Sequence, residues 1–175
     1  VRRIAESYGF RLFETPIGFK HIGEIMLDPA NDFLTGGEES GGIGIRGHIP
    51  ERDGVFNCLM LLEAVLAAGR KPSEIIRDIW KEFGEFHFER NDLHVPIESG
   101  LKLVATMRDN TPSEFAGFKV VGTATLDGTK LIFEDESWIL FRQSGTEPVL
   151  RVYCEATSVE KMTTLMNEGV RLAKG

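Results

Sequence analysis

Cysteine is scarce in this chain: Cys58 and Cys154 are the only two in 175 residues. Two thiols cannot build a disulfide framework. Cys58 falls in an apolar helical pattern and Cys154 in a strand pattern, so both are expected to be buried thiols. That usage fits a reducing, cytoplasmic compartment. Histidine is nearly as rare, with four residues, and no Cys/His cluster has metal-ligand spacing. Long apolar runs are also missing. The longest, residues 55–68, is interrupted by Asn57 and Glu63 and falls short of the ~20 residues that span a bilayer, so no membrane partner is expected. The N-terminus shows no secretory pattern and no initiator Met; a helical pattern is already running at Val1, so the chain is read as a fragment. Positive charge is in deficit, with 20 Lys and Arg against 27 Asp and Glu and a net charge of −7. A general nucleic-acid binder needs the opposite balance. A local pair of arginines can still hold a small anion inside a negative protein.

What is present suits an ordinary globular chain, with 42% hydrophobic residues. Its length allows one domain or two small ones, burying about 70% of the unfolded surface. Residues 1–8 read as a helix stopped by Gly9, with a short strand over residues 10–13. Two glycine-rich segments follow, at residues 15–20 and 35–42, the second between the apolar pair Phe33 and Leu34 and the residues Ile43 and Ile45. Short apolar strands bounded by glycine loops suit an α/β layer, where loops at strand ends hold ligands. Asp53 then caps a long helix in which Val55, Leu59, Leu62, Val65 and Leu66 recur on one side up to Gly69. Pro72 and Ser73 open another, with Ile75, Ile76, Ile79 and Phe83 apolar, ending near Gly84.

The pattern changes beyond Gly84. Phe86, Phe88 and the polar Glu89-Arg90-Asn91-Asp92 read as the exit from one domain and a linker, giving domains over residues 1–88 and 95–175. A helix over residues 96–107 precedes strands at 118–126 and 129–133 around the Asp127-Gly128 turn, then strands at 138–141 and 149–153. A last helix starts near Ser158, with Val159, Met162, Leu165, Met166 and Val170 as its buried stripe. The second unit is therefore α+β, a sheet with helices on one face.

Two loops carry chemistry. Phe141-Arg142-Gln143-Ser144-Gly145-Thr146-Glu147-Pro148, with Arg151 beyond it, joins two antiparallel strands. Guanidinium groups at Arg142 and Arg151 match phosphate oxygens in a bidentate fork. Ser144 and Thr146 add hydroxyls, and Gly145 lets backbone N–H groups close on an anion. The plainer reading is a surface hairpin turn with Arg151 paired to Glu147 or Glu155. The loop at Glu38-Glu39-Ser40 has acidic acceptors and a hydroxyl suited to sugar hydroxyls; it also reads as a solvated turn or a divalent-cation holder. Lys20 and His48 add polar groups near the same loop ends, and Asp53 is most simply a helix cap.

Together these segments resemble the C-terminal portion of the alpha-D-phosphohexomutases, the phosphoglucomutase and phosphomannomutase superfamily. The matching motifs are TPIGFK at 15–20, GEESGG at 37–42, GHIPERDG at 47–54 and RQSGTEP at 142–148 with Arg151. The resemblance implies most of a third domain, a truncated three-layer α/β sandwich, followed by a fourth, TATA-binding-protein-like α+β domain. It implies that Glu38 and Ser40 bind sugar hydroxyls and that Lys20 and His48 lie near the substrate. It implies that Arg142, Ser144, Gly145 and Thr146 bind phosphate, supported by Arg151. The implied reaction moves phosphate between C1 and C6 of a hexose through a phosphoserine and a bisphosphorylated sugar, glucose 1,6-bisphosphate, with Mg²⁺. Serine and Mg²⁺ ligands belong to preceding domains, so this stretch is expected to bind the hexose phosphate together with those domains, to lack catalytic and metal-ligating residues, and to be inactive alone. Ser40-Gly41-Gly42 departs from the Ser-Gly-His pattern of several phosphomannomutases and phosphoglucosamine mutases, which favours the glucose-directed branch.

Overall fold

The computed structural model describes every residue from Val1 to Gly175, and the chain divides into two compact units, Val1–Phe83 and Gly84–Gly175. In the first unit, α1 (Arg2–Ser7) ends ahead of Gly9 as its sequence predicts. The strand expected at residues 10–13 does not form. The Phe10 amide instead donates to the Ala5 carbonyl at 2.8 Å, and the Arg11 guanidinium lies over the Phe13 ring at 4.1 Å. A strand needs a neighbour for its backbone groups, and this segment has none. Helix α2 (Phe19–Leu27) is followed by a 3₁₀ turn at Pro29–Asn31, then by β1 (Thr35–Gly37) and β2 (Ile43–Ile45), which pair antiparallel. Glycine in the hairpin is a packing requirement. A Cβ on Gly44 would stand 2.7 Å from Met26 Sδ and 3.1 Å from the Phe19 ring, so the α2 side chains would have to shift to keep their contact with the hairpin.

Helix α3 (Gly54–Ala68) starts as predicted at Asp53, whose carboxylate accepts the Val55 and Phe56 amides at 3.0 Å each. It ends at Gly69, where φ of +62° provides the left-handed turn that glycine adopts without strain. Its packing reverses the expectation from periodicity. Val55, Leu59, Leu62 and Leu66 are exposed, whereas the polar Asn57 is buried and donates from Nδ2 to the Ile43 carbonyl at 2.9 Å. Cys58 is exposed too, correcting its reading as a buried thiol. Helix α4 (Pro72–Phe83) begins and ends where predicted, although Ile76 and Ile79 on its apolar side remain exposed.

The second unit contains β3 (His87–His94), α5 (Ile97–Asp109), β4 (Glu114–Phe115), β5 (Phe118–Ala124), β6 (Thr129–Phe133), β7 (Trp138–Gln143), β8 (Val149–Ala156) and α6 (Val159–Lys174). The strands form one antiparallel sheet in the order β3-β8-β7-β6-β5-β4. The segment read as a linker is the edge strand β3, paired along its whole length with β8 from His87↔Ala156 to His94↔Val149. Its alternating charged residues tolerate an edge, where one side is wet. Alternate residues of β6, β7 and β8 enter a closed core in which Leu131, Ile139, Phe141, Leu150, Val152, Cys154 and Leu165 have no exposed surface. Each such aliphatic or aromatic side chain contributes roughly 1.5–3 kcal/mol. Helix α6 approaches closely at Gly169, where a Cβ would lie 2.9 Å from Ile139 Cδ1. Its predicted stripe is buried at Leu165 and Met166, but Val159 in the first turn is exposed.

No helix of either unit is long and apolar enough to cross a membrane.

Candidate functional site

The β7–β8 connection is built by its own polar side chains. The Ser144 amide donates to the Val149 carbonyl at 2.9 Å, and the buried Ser144 Oγ accepts from the Thr146 and Glu147 amides at 3.4 and 3.3 Å. Gln143 Nε2 donates to the Ser144 and Glu147 carbonyls at 3.1 Å each. Gly100, in the first turns of α5, gives Gln143 its room, because a Cβ there would fall 1.8 Å from Gln143 Oε1. The result is a tied loop with Gly145 at its open tip.

Arg142 and Arg151 are register partners across β7 and β8, so both project from the face opposite the core. Two guanidinium groups side by side repel unless anions separate them. Arg142 Nε donates to Asp127 Oδ2 at 3.0 Å. Arg151 faces Asp92 Oδ2 at 3.6 Å and Glu147 Oε2 at 3.7 Å. Asp92 is the β3 register partner of Arg151 and takes a bidentate pair of 2.7 Å bonds from Arg90. Those bonds, acting against partial burial and helped by the Arg151 charge, hold its carboxyl below the usual range. Of the two partners expected for Arg151, Glu147 is found; Glu155 instead accepts the Trp138 indole N–H at 3.1 Å. A tied loop with a glycine tip beside two half-buried arginines is a chemically apt dock for a phosphate group. Asp92 and Asp127, which complete the row, were not among the predicted site residues. The first is visible only through the register of β3, whose polar composition reads as a linker.

In the first unit, three of the sequence motifs meet at one carboxylate. Glu38 Oε1 accepts the Gly18 amide at 3.1 Å, and Glu38 Oε2 accepts from Arg52 Nη1 at 2.9 Å. The turn itself is closed by the Glu38 amide to the Gly42 carbonyl and the Gly41 amide to the Glu38 carbonyl, both at 3.0 Å. Ser40 sits exposed at the tip of this turn, and Lys20 is exposed in the first turn of α2, two residues from Gly18. His48 is not tied into the Glu38 cluster by any hydrogen bond of its own. Its Nε2 lies 2.9 Å from Asp53 Oδ2, and its ring stacks on Phe56 at 4.1 Å. Asp53 has its carboxyl held below the usual range by the Phe56 amide and then by His48. Nowhere do three His, Cys, Asp or Glu side chains converge to hold a metal ion.

An α/β unit with a glycine-rich acidic loop, followed by a curled antiparallel sheet carrying an arginine loop, defines the class of protein. Residues 1–83 match the phosphoglucomutase/phosphomannomutase alpha/beta/alpha domain III, and residues 103–172 match the C-terminal domain of the same family. The chain belongs to the phosphoglucomutase/phosphomannomutase family. It is 32% identical to a phosphoglucomutase/phosphomannomutase of Thermococcus kodakarensis, covering 97% of this chain and 34% of the relative. It is 33% identical to a phosphoglucosamine mutase of Streptomyces griseus, covering 89% and 30%. The solved structure of a putative phosphomannomutase from Thermus thermophilus aligns with a TM-score of 0.79 at 35% identity, covering 99% of this chain and 34% of that one. The chain thus spans about a third of the length of the relatives it matches.

Proposed function

We propose that this chain is the substrate-holding C-terminal part of a cytoplasmic phosphoglucomutase, an intramolecular phosphotransferase of carbohydrate metabolism that interconverts glucose 1-phosphate and glucose 6-phosphate. The observation that carries the reading is the register pairing of Arg142 with Arg151 beside the tied Ser144 loop. Arg142, Ser144, Gly145 and Thr146 hold the non-reacting phosphate, and Arg151 supports them. Glu38 and Ser40 accept and donate to sugar hydroxyls, with Lys20 and His48 close to the substrate. The sugar must present both of its ends in turn, so a fixed phosphate dock and a tolerant hydroxyl-reading loop divide the work. Such positioning supplies catalysis without direct chemistry. The phosphoserine that donates to the sugar, giving glucose 1,6-bisphosphate, and the Mg²⁺ that offsets phosphoryl charge belong to the preceding part of the polypeptide. The residues present here do not fit a metal site.

Gly42, where several phosphomannomutases and phosphoglucosamine mutases carry His, favours glucose phosphate over mannose and glucosamine phosphates. The test is substrate competition with the full-length enzyme. Glucose 1-phosphate is expected to exceed mannose 1-phosphate and glucosamine 1-phosphate in kcat/KM by at least about tenfold. A preference for either competitor would replace the glucose reading, and no mutase activity with any of them would remove the reading altogether.

A further inference from the structure

Glu38 has only 11% of its side chain exposed and accepts at both oxygens, which fixes the carboxylate in rotation as well as position. The Gly18 amide holds one oxygen through the backbone. The other is held by Arg52, a residue that no motif chemistry singled out. Arg52 is an odd choice for a structural contact. Its side chain is 54% exposed, and exposed ion pairs add little to stability. Its path is nonetheless specified. The guanidinium passes over the Phe19 ring at 5.6 Å, and the aliphatic stem lies against Gly42. A Cβ on Gly42 would come within 2.8 Å of Arg52 Cδ, 3.5 Å of its Cβ and 3.7 Å of its Cγ. Gly42 lies outside the left-handed region, so the glycine is needed here for space and not for backbone conformation.

We infer that Arg52 is a positioning residue for the sugar-reading carboxylate, and that Gly42 is the space that admits it. This rests on the proposed role of Glu38 as acceptor for sugar hydroxyls. One Arg52 N–H fixes Glu38 Oε2, leaving the remaining lone pairs aimed along defined directions. A carboxylate held in this way meets a hydroxyl without first losing rotational freedom. The contact is equally useful to both orientations of the sugar, so it acts on binding more than on the chemical step.

The test has two arms. In the 175-residue chain, hydrogen exchange at the Gly18 amide reports the Glu38 clamp with no ligand present. Arg52→Ala is expected to speed that exchange about tenfold and Arg52→Lys to restore most of the protection, while the Arg46 amide, bonded to the Leu34 carbonyl across the hairpin, stays unchanged. In the full-length enzyme, Arg52→Ala is expected to raise KM for the hexose phosphate about tenfold with kcat within about twofold. Arg52→Lys should recover most of that loss, and Gly42→Ala should give an intermediate rise. Arg70→Ala, which removes an exposed pair with Asp78, should leave KM alone. Unchanged Gly18 exchange in Arg52→Ala would overturn the clamp. If Glu38→Gln raises KM but Arg52→Ala does not, the positioning role falls and the sugar-binding reading stands. If neither raises it, the sugar-binding reading of Glu38 falls, and the inference with it.

Discussion

Helices α3 and α6 are both apolar enough to predict burial, yet they behave oppositely. In α6, Leu165 and Met166 are closed against the sheet, with Gly169 drawing the helix close to Ile139 and Val152. In α3, Val55 is 75% exposed and Leu66 70% exposed, while the polar Asn57 faces the hairpin. The second unit contains its own cover, a six-stranded sheet that fills one side of each of its two helices. In the first unit the hairpin that receives Asn57 of α3 has two strands of three residues each. Hydrophobic pattern therefore records which residues favour burial and leaves open what buries them.

The largest effect that separates the two units is core truncation. Phe141→Ala in the second unit is expected to cost about 3–5 kcal/mol, whereas Leu66→Ala on α3 should stay within about 0.5 kcal/mol. Denaturant unfolding followed by single-tryptophan variants reads each unit separately, since Trp80 lies in the first and Trp138 in the second. Equal losses at the two sites would mean that α3 is covered after all.

Helix caps come next and should not distinguish the units. Asp53 caps α3 with two amide bonds, and Ser158 caps α6 through the Lys161 amide at 3.2 Å. Replacing either by Ala is expected to cost about 1 kcal/mol in its own unit. A larger loss at Asp53 would point to its contact with His48.

Acid should act on the second unit through Asp135. Burial opposes its ionised form. The 2.7 Å bond from Lys161, the 2.8 Å bond from Thr157 and the contacts from Ser137 outweigh that, and its carboxyl is held far below the usual range. With a depressed folded value, the stabilisation is complete above the unfolded value of about 4 and is lost as pH falls below it. Asp135→Asn should flatten this acid loss for the second unit and cost about 1 kcal/mol near neutrality, after allowance for solvent screening. An unchanged acid profile in Asp135→Asn would assign the loss elsewhere.

Thiol chemistry gives the smallest perturbation and the sharpest contrast. Cys58 is exposed, whereas Cys154 has no exposed surface and burial, with Glu89 and Glu155 nearby, pushes its thiol up to about 12. A disulfide reagent at mild alkaline pH should label one thiol in the folded chain and two after denaturation. Two labelled thiols under native conditions would contradict the closed core of the second unit.

Much of this arrangement can be read from residues alone. Asp53 and Gly69 bracket α3, the Asp127-Gly128 turn sits between β5 and β6, and Arg142 and Arg151 flank one hairpin loop. At Gly128 the φ of +91° and the 2.3 Å approach that a Cβ would make to the Phe141 carbonyl explain why that turn carries glycine. What escaped reading depends on partners distant in sequence. The segment 89–92 is polar because one side of β3 is wet, and only its ladder with β8 makes it a strand. Asp92 joins the arginine row through the same ladder. Residues 10–13 have strand-like composition without a neighbouring strand. Arg52 lies inside a recognised motif, but its role appears only when Gly42 and Glu38 are brought beside it.

The proposed function requires that the Arg142–Arg151 loop hold phosphate and that the Glu38 loop read a sugar. The most direct measurement is an NMR titration of the 175-residue chain with glucose 6-phosphate and, separately, inorganic phosphate. Saturable shifts are expected over residues 142–151 with both ligands, over residues 37–42 with the sugar phosphate only, and the first set should be lost in Arg142→Ala. A folded sample in which neither ligand moves residues 142–151 would contradict the proposed function.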